Sequence, residues 1–430
     1  MSSAADGGTT GDVTAAPAGV AAEREALDSR RASGTRAAWW SPWWVRVLIV
    51  YGLSRVVTTT ILLILASVQG ANPWTAARPG YFDFAAIWDG RWYNIVSIAG
   101  YPSALPVADG HVTENAWAFL PVYPGLVNAV QFVTRMPWQV AAVLVSVAFG
   151  AGAALLFHRL LIRLGFSSST TLFAVVLFCV APVSPLFQLA YAESLYIFLL
   201  TAALLLLVER RYGMLFPVVA IMAFTRPSGL AFALAVGLHV IYRFVVRRSQ
   251  PFPVRERVLS VSLAVFSGIA GLAWPAIAGL VTGNLMAYTD TELAWRSVYI
   301  GWMHLVPFAP WFQGADWWFV NVLGLPSWLG ILTVLIVIAL FAVVLFSPAV
   351  RRLGVDVRFW LIAYSLYLLA VFFPQSSTFR LLMPLFPLLA VIALPKSRVY
   401  RIGMVQLFLA LQVGWLLIAW GVDGADWTPP

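Results

Sequence analysis

The sequence contains very little charge and very little cysteine. Asp, Glu, Lys and Arg make up 10% of its 430 residues, whereas soluble domains contain about 25%. The hydrophobic fraction is 61% and the mean hydropathy is +0.85. This composition excludes an ordinary soluble domain and predicts an integral membrane protein with many spans. Because Cys179 is the only cysteine, the chain cannot form an intramolecular disulfide.

Lysine is also nearly absent, since Lys396 stands alone against 26 arginines. Together with the abundant alanine, this bias is typical of a GC-rich genome and predicts a bacterial, more specifically an actinobacterial, source. The net charge is +9, and the arginines gather in short loops between apolar segments. That distribution indicates membrane orientation. No base-stacking or RNA-binding signature accompanies it, so we expect no nucleic-acid partner.

The first 38 residues differ in composition from the rest of the chain. They are rich in Ala, Gly, Ser and Thr and contain almost no large apolar side chains, which predicts a disordered tail. The arginines of this tail favour a cytoplasmic location. We therefore predict a cytoplasmic tail over residues 1–38 and a transmembrane domain over residues 39–430.

Apolar segments long enough to suggest membrane spans follow one another along that domain. A full crossing takes about 17–25 residues. The segments cover about 44–68, 138–158, 171–187, 191–208, 212–225, 229–246, 258–281, 327–347, 359–374, 379–395 and 402–421. This pattern predicts an all-α bundle of about eleven spans, or twelve if the proline-interrupted run 117–133 also crosses.

The basic clusters decide between these two counts. With eleven spans, the clusters at 158–163, 209–211, 243–257, 351–358 and 396–401 all lie on the side of the tail. With twelve, all of them lie outside the cytoplasm, against the positive-inside rule. The count of eleven is therefore favoured, with the N-terminus in the cytoplasm and 117–133 as an interfacial or re-entrant helix. The long loops 69–137 and 282–326 then face outward, with further interfacial helices.

Charged side chains gather at the outer ends of the predicted spans. In this topology Asp89, Glu193, Arg226 and Arg380 all lie at or just inside the outer lipid interface. Polar residues clustered at one end of a helix bundle suggest a site there. An interfacial aromatic anchor around Asp89 is the structural alternative, and headgroup contacts are the alternative for the two arginines. Glu193 has a helix-capping alternative.

Four short stretches carry a family resemblance. They are Trp88-Asp89-Gly90, Ala118-Phe119-Leu120-Pro121-Val122-Tyr123-Pro124, Tyr191-Ala192-Glu193-Ser194-Leu195 and Thr225-Arg226-Pro227-Ser228-Gly229. In this order on a polytopic protein, they resemble the GPI mannosyltransferase II (PIG-V) family. That family belongs to the GT-C superfamily, whose donors are polyprenyl-phosphate sugars. The resemblance implies a GT-C-type bundle and assigns to Asp89 the role of catalytic base.

The residue chemistry is compatible with such a reaction. A carboxylate near the acceptor hydroxyl can take its proton. The arginine fork matches phosphate oxygens and stays protonated, which makes Arg226 and Arg380 candidates for binding the donor phosphate. Further substrate contacts are predicted for residues of the same stretches, namely Trp88, Arg91, Tyr93, Tyr123, Tyr191, Glu193 and Ser228.

The predicted reaction moves a mannosyl unit from polyprenyl-phosphate-mannose to a hydroxyl of a membrane glycolipid or lipoglycan. No cofactor is expected, because the lipid-linked sugar phosphate is itself the donor substrate. A metal site is not expected either, because no second ligand stands at metal spacing from His111 or His304. A lipid or glycan transporter or flippase, and an inactive carrier-binding scaffold, remain alternatives. The tryptophans of loop 282–326 suggest interfacial helices or a sugar-stacking platform.

Overall fold

The computed structural model describes residues 42–421, so the predicted tail 1–38 lies outside the described residues. Internal contacts divide the chain into residues 1–46 and 47–430, and of the first unit only residues 42–46 are described. Helices dominate the described part, which confirms the predicted all-α class.

The helices follow one another with short connections. They are α1 Trp43–Val68, α2 Tyr81–Ala85, α3 Asp89–Ala99, α4 Val122–Thr134, α5 Trp138–Arg163, α6 Ser168–Val180, α7 Glu193–Val208, α8 Tyr212–Ala223, α9 Gly229–Val245, α10 Val254–Thr282, α11 Ala287–Ile300, α12 Pro310–Trp317, α13 Ser327–Phe346, α14 Pro348–Arg351, α15 Gly354–Val371, α16 Thr378–Leu381, α17 Leu389–Ile392 and α18 Arg398–Trp420. Tighter 3-10 turns cover Ala116–Ala118, Ser184–Gln188 and Met383–Leu388, and a π-helical turn covers Trp318–Val322.

Six of the described helices are long and apolar enough to cross a membrane: α1, α5, α10, α13, α15 and α18. Five shorter apolar helices cover Ser168–Val180, Glu193–Val208, Tyr212–Ala223, Gly229–Val245 and Met383–Ile392. Each of these coincides with a predicted span. At about 1.5 Å per residue, however, helices of 10–17 residues are shorter than the ~30 Å hydrocarbon core. The total of eleven crossings therefore stays a prediction.

Helix α4 occupies the ambiguous run 117–133. It has 13 residues and extends only about 20 Å, too short for a straight crossing of the hydrocarbon core. This length favours the interfacial or re-entrant placement.

The first long loop also contains a small hairpin that we did not predict. Strand β1 (Val107–Ala108) pairs antiparallel with β2 (His111–Val112). The turn residues Asp109 and Gly110 have φ values of 52° and 80°. Asp-Gly is a strong signal for such a two-residue turn. The sequence therefore contained enough information to predict this hairpin.

The burial pattern distinguishes the centre of the bundle from its periphery. In α7, Leu200, Leu204 and Leu207 are completely buried, because α5 and α8 pack against this helix. In α13, by contrast, Leu340 and Val343 are 61% and 69% exposed. Exposed apolar area on this scale is typical of a surface that contacts lipid.

A polar network ties the first and last helices to the segment before α7. Gln412 of α18 donates to Ser184 Oγ at 2.7 Å, and Thr58 of α1 donates to Gln412 Oε1 at 3.2 Å. Arg55 of α1 donates to the Ser184 carbonyl oxygen at 2.6 Å. Buried polar groups require partners of this kind. These bonds hold α18 beside the segment that precedes α7, the helix that begins at Glu193.

Candidate active site

Asp89 begins helix α3 and follows an unusual backbone conformation. The preceding residue, Trp88, has φ +59° and ψ −122°, a sparsely populated region that costs about 1–3 kcal/mol for a bulky side chain. The end of α18 holds this loop in place. Trp88 Nε1 donates to the Ala419 carbonyl oxygen at 2.8 Å, and Trp420 Nε1 donates to the Phe84 carbonyl oxygen at 2.9 Å.

Four charged side chains meet at the start of α3. Arg380 Nη1 donates to Asp89 Oδ2 and lies 3.5 Å from Glu193 Oε1. Arg226 Nη1 donates to the same Glu193 oxygen at 2.7 Å. We call Asp89, Arg380, Glu193 and Arg226 the charge cluster. It brings together the four residues that the sequence places at the outer ends of the predicted spans.

The charge cluster is assembled from the ends of several helices. Glu193 is the first residue of α7, and its carboxylate accepts a hydrogen bond from Arg226. Arg226 lies in the turn between α8 and α9, and Arg380 lies in the short helix α16. The side chains are only 4–17% exposed. Two carboxylates and two guanidiniums give a formal charge of zero, as buried ions require.

Burial changes the acidity of Asp89. Loss of water raises the pKa of this carboxyl above its ordinary value, and the adjacent Arg380 guanidinium opposes that shift. A raised pKa makes the carboxylate a stronger base than an exposed aspartate. At neutral pH, the pairing with Arg380 also supplies the hydrogen bond that a buried carboxylate needs.

Aromatic side chains enclose the charge cluster. The Tyr191 hydroxyl accepts a hydrogen bond from the Asp89 backbone N–H at 3.3 Å, and the Arg380 guanidinium lies 5.5 Å from the Tyr191 ring centroid. Tyr93 is buried, and its ring contacts those of Phe119 and Tyr123 edge-on. Within residues 42–421 the Tyr93 hydroxyl forms no hydrogen bond, and substrate contact by this residue stays a prediction.

Three other residues for which we predict substrate contact, Tyr123, Ser228 and Arg91, make contacts within the protein instead. The Tyr123 hydroxyl is fully buried and pairs with Ala142 O at 3.0 Å and Ser146 Oγ at 3.1 Å. Ser228 donates to the Arg226 carbonyl oxygen at 3.3 Å and so shapes the turn that carries Arg226. Both geometries favour a supporting role, and substrate contact by these two residues stays a prediction. Arg91 is exposed and stacks over Trp74, away from the charge cluster.

A small cavity of about 10 Å³ adjoins Glu193, Arg226 and Arg380. Such a volume holds about one water molecule. Among the described residues, Glu193 Oε2 has no hydrogen-bond partner and is buried. The cavity therefore lies next to one unsatisfied acceptor and two guanidiniums.

The second long loop contributes a carboxylate that we did not assign to the site. Glu292 of α11 is exposed at the surface, although protein atoms crowd its carboxyl group. This desolvation raises the pKa of Glu292 to about 7, while the Tyr288 hydroxyl and the Arg226 charge oppose the shift. The Asp89 charge raises the pKa of Glu292 further, and the Arg380 charge lowers it. Only the i, i+4 spacing of Tyr288 and Glu292 marks this pair in the sequence.

The two long loops pack on each other through their aromatic residues. Trp295 lies edge-on to Trp92 at 5.9 Å, and Asn115 donates to Thr291 at 2.8 Å. Trp302 stacks on His111 at 4.8 Å. These tryptophan contacts within the protein favour interfacial helices over an open sugar-stacking platform. No group of three or more His, Cys, Asp or Glu side chains among residues 42–421 is placed to hold a metal.

No protein-family model matches the chain, and no curated protein matches its sequence. Among solved structures, the chain is similar to the archaeal oligosaccharyltransferase AglB from Archaeoglobus fulgidus, in a complex with an inhibitory peptide and a dolichol-phosphate. The identity is 11%, the TM-score is 0.45, and the match covers 91% of this chain and 57% of that one.

The chain is also similar to an Archaeoglobus fulgidus oligosaccharyltransferase in a complex with Zn and sulfate. The identity is 14%, the TM-score is 0.44, and the match covers 89% of this chain and 54% of that one. The chain thus spans a little more than half of the length of either matched structure. The described helices and the composition define a multi-pass α-helical membrane protein.

Proposed function

We propose that this protein is a membrane glycosyltransferase of the GT-C type that uses a polyprenyl-phosphate sugar as its donor. In this proposal a mannosyl unit passes to a hydroxyl of a membrane glycolipid or lipoglycan on the outer face of the cell membrane. The N-terminus lies in the cytoplasm. The observation that carries the proposal is the charge cluster, in which a candidate base and two candidate phosphate ligands share one buried site.

The reaction is a single displacement. The acceptor oxygen attacks the anomeric carbon of the donor, and Asp89 takes the proton of the attacking hydroxyl. The bond between the anomeric carbon and the phosphate oxygen breaks, and the polyprenyl phosphate leaves with the bonding electrons. Attack opposite to the leaving group inverts the configuration at the anomeric carbon. A positioned carboxylate contributes about 10²–10⁴-fold to such a proton transfer.

The arginines act on the leaving group. Arg226 and Arg380 supply guanidinium donors for the negative charge that develops on the departing phosphate. Without donor, both are neutralised by carboxylates of the charge cluster. A phosphate that binds to Arg380 competes with Asp89 for that guanidinium. Donor binding would therefore release the Asp89 carboxylate for the acceptor hydroxyl, so that the base becomes available only when the donor is present.

Transfer by the purified full chain tests this proposal. The protein is reconstituted in lipid nanodiscs and supplied with radiolabelled polyprenyl-phosphate-mannose, with the corresponding glucose donor as a comparison. We expect transfer of label to glycolipids extracted from a GC-rich actinobacterium, and its loss in Asp89→Asn. Absence of transfer from either donor would contradict a glycosyltransferase, and a preference for the glucose donor would contradict the mannosyl assignment.

A further inference from the structure

An open groove lies beside helix α3. Its volume is about 400 Å³, within the range of pockets that bind small molecules. The first long loop, α2, α3 and the start of α5 form its walls. The side chains that matter here are those of Trp74, Asp83, Arg91, Asn94, Trp138 and Gln139.

The groove and the charge cluster lie on different faces of α3. Successive residues of an α-helix are about 100° apart around its axis, so Arg91 is about 200° and Asn94 about 140° from Asp89. Asp89 turns towards Arg380, whereas Arg91 and Asn94 line the groove. The groove is therefore a site separate from the reacting groups, although it shares their helix.

Three of the polar side chains of the groove make no hydrogen bonds within the fold. Within the part of the chain that the structure describes, the side chains of Asp83, Asn94 and Gln139 form no hydrogen bonds. Arg91 makes one hydrogen bond, from Nη1 to the Pro73 carbonyl oxygen at 3.3 Å. Two carboxamides, a carboxylate and a guanidinium together offer several donors and several acceptors.

The apolar part of the lining is aromatic. The Arg91 guanidinium lies 5.3 Å from the Trp74 ring centroid. Trp138 Nε1 donates to Ser97 Oγ at 2.8 Å, which fixes the indole that borders the groove. Rigid aromatic surface beside mixed hydrogen-bonding groups suits a ligand with both C–H faces and many hydroxyls.

The charges of the groove select against an anion. Asp83 and Arg91 compensate each other, so the lining carries no net formal charge. A phosphate would face the Asp83 carboxylate here, whereas the charge cluster offers two guanidiniums elsewhere. A neutral polyol meets no such repulsion.

We propose that this groove binds neutral sugar residues of a glycan chain. Their assignment to the acceptor rests on the proposed function, whereas sugar binding itself does not. A glycan held along α3 at Arg91 and Asn94 can pass the first turn of the helix and present a terminal hydroxyl to Asp89. The groove thereby selects acceptors that already carry sugars.

Direct binding tests the proposal without any reliance on catalysis. The full chain is placed in lipid nanodiscs, because alkyl-glycoside detergents would occupy a sugar site, and is titrated calorimetrically with methyl mannoside, mannobiose and mannotriose. We expect mannotriose to bind more tightly than methyl mannoside. The double substitution Asn94→Ala with Gln139→Ala should weaken mannotriose binding at least 10-fold. Gln131→Ala, a carboxamide of α4 outside the groove, is the matched control and should bind normally.

A photoreactive mannotriose provides a measurement that needs no variant. Labelled peptides should come from residues 73–94 or 138–139. Labels found only elsewhere, or equal binding by the double variant and wild type, would overturn the proposal. So would groove labelling by a phospholipid photoprobe that mannotriose fails to displace, since the groove would then be a headgroup site.

Asp89→Asn separates this inference from the proposed function. That variant should lose transfer but bind mannotriose with unchanged affinity. Groove-dependent binding without transfer from any donor would remove the proposed function and leave a carbohydrate site. Transfer without groove-dependent binding would leave the proposed function standing and would overturn sugar binding in the groove.

Discussion

Arg380 Nη1 binds Asp89 Oδ2 although the two residues are 291 positions apart in the chain. The same nitrogen lies 3.5 Å from Glu193 Oε1. The candidate phosphate ligand and the candidate base therefore hold each other while the donor is absent. This relationship makes their functions interdependent, and the substitutions below are chosen to separate them.

Asp89→Asn should reduce turnover by about 10²-fold or more, because the amide cannot accept the proton of the acceptor hydroxyl. Asp89→Glu should also reduce it, since one methylene displaces the carboxylate by about 1 Å. Single-turnover transfer from bound donor measures both effects. Asp109→Asn is the matched control, because Asn tolerates the positive φ of that exposed turn. An Asp89→Asn protein with near-normal transfer would falsify the assigned base.

Replacement of Arg226 or Arg380 by Lys should raise the KM for the donor, because Lys keeps the charge but loses the guanidinium fork. Arg380→Lys should have the larger effect on kcat, since this side chain also binds Asp89. Initial rates over a range of donor concentrations separate the two parameters. The exposed Arg135→Lys should behave as wild type. Unchanged donor kinetics in both cluster variants would mean that neither arginine contacts the phosphate.

Glu193→Gln should destabilise the fold by about 3–5 kcal/mol, because two largely buried guanidiniums would lose the carboxylate between them. Thermal unfolding followed by tryptophan fluorescence measures the change. Glu209→Gln breaks a more exposed pair with Arg211 and should cost less than about 1 kcal/mol. Adding Arg226→Gln to Glu193→Gln should restore part of the lost stability. Equal small losses in both glutamate variants would argue against a structural role for Glu193.

The pH dependence of kcat/KM should contain two separate ionisations. Asp89 must be deprotonated to act as a base, and burial raises its pKa. Transfer should thus fall on acidification at a pH above the ordinary aspartate value of about 3.9. A second inflection near pH 7 should come from Glu292, whose pKa is about 7, and should disappear in Glu292→Gln. An inflection near pH 7 that persists in this variant must belong to another group.

Thiol labelling checks the predicted orientation. After replacement of Cys179 by Ala, single cysteines are introduced at Asp109, Asp316 or Ser249, all of which are exposed. A membrane-impermeant maleimide added to intact cells should modify the first two and spare the third, as the positive-inside rule requires. Modification at position 249 would place the charge cluster on the cytoplasmic face and exclude an outer active site.

The members of the charge cluster could be predicted because charge is scarce in this chain. A buried ion in an apolar bundle is costly unless it is paired or used, so each one stands out in the sequence. Their pairing could not be predicted in the same way. Arg380 and Asp89 meet through tertiary packing, and no local spacing encodes a contact across 291 positions.

Glu292 and the groove show a second limit of the sequence. Glu292 sits in an aromatic loop whose pattern suits an interfacial helix equally well, and only the packing of α11 against the first loop brings it near Asp89. The groove arises where residues of α2, α3 and α5 converge. Separation along the chain conceals that convergence, whereas helix positions follow directly from apolar segments and turn residues.

The indole of Trp88 is held by a carbonyl 331 residues further along the chain, and the indole of Trp420 holds Phe84 across 336 residues. Synthesis at about 5–20 residues per second separates the two partners by on the order of half a minute. Throughout that interval the strained turn before Asp89 lacks its clamp. The turn before Asp89 therefore acquires this clamp only after α18 has been synthesised, although all four members of the charge cluster precede α18 in the chain.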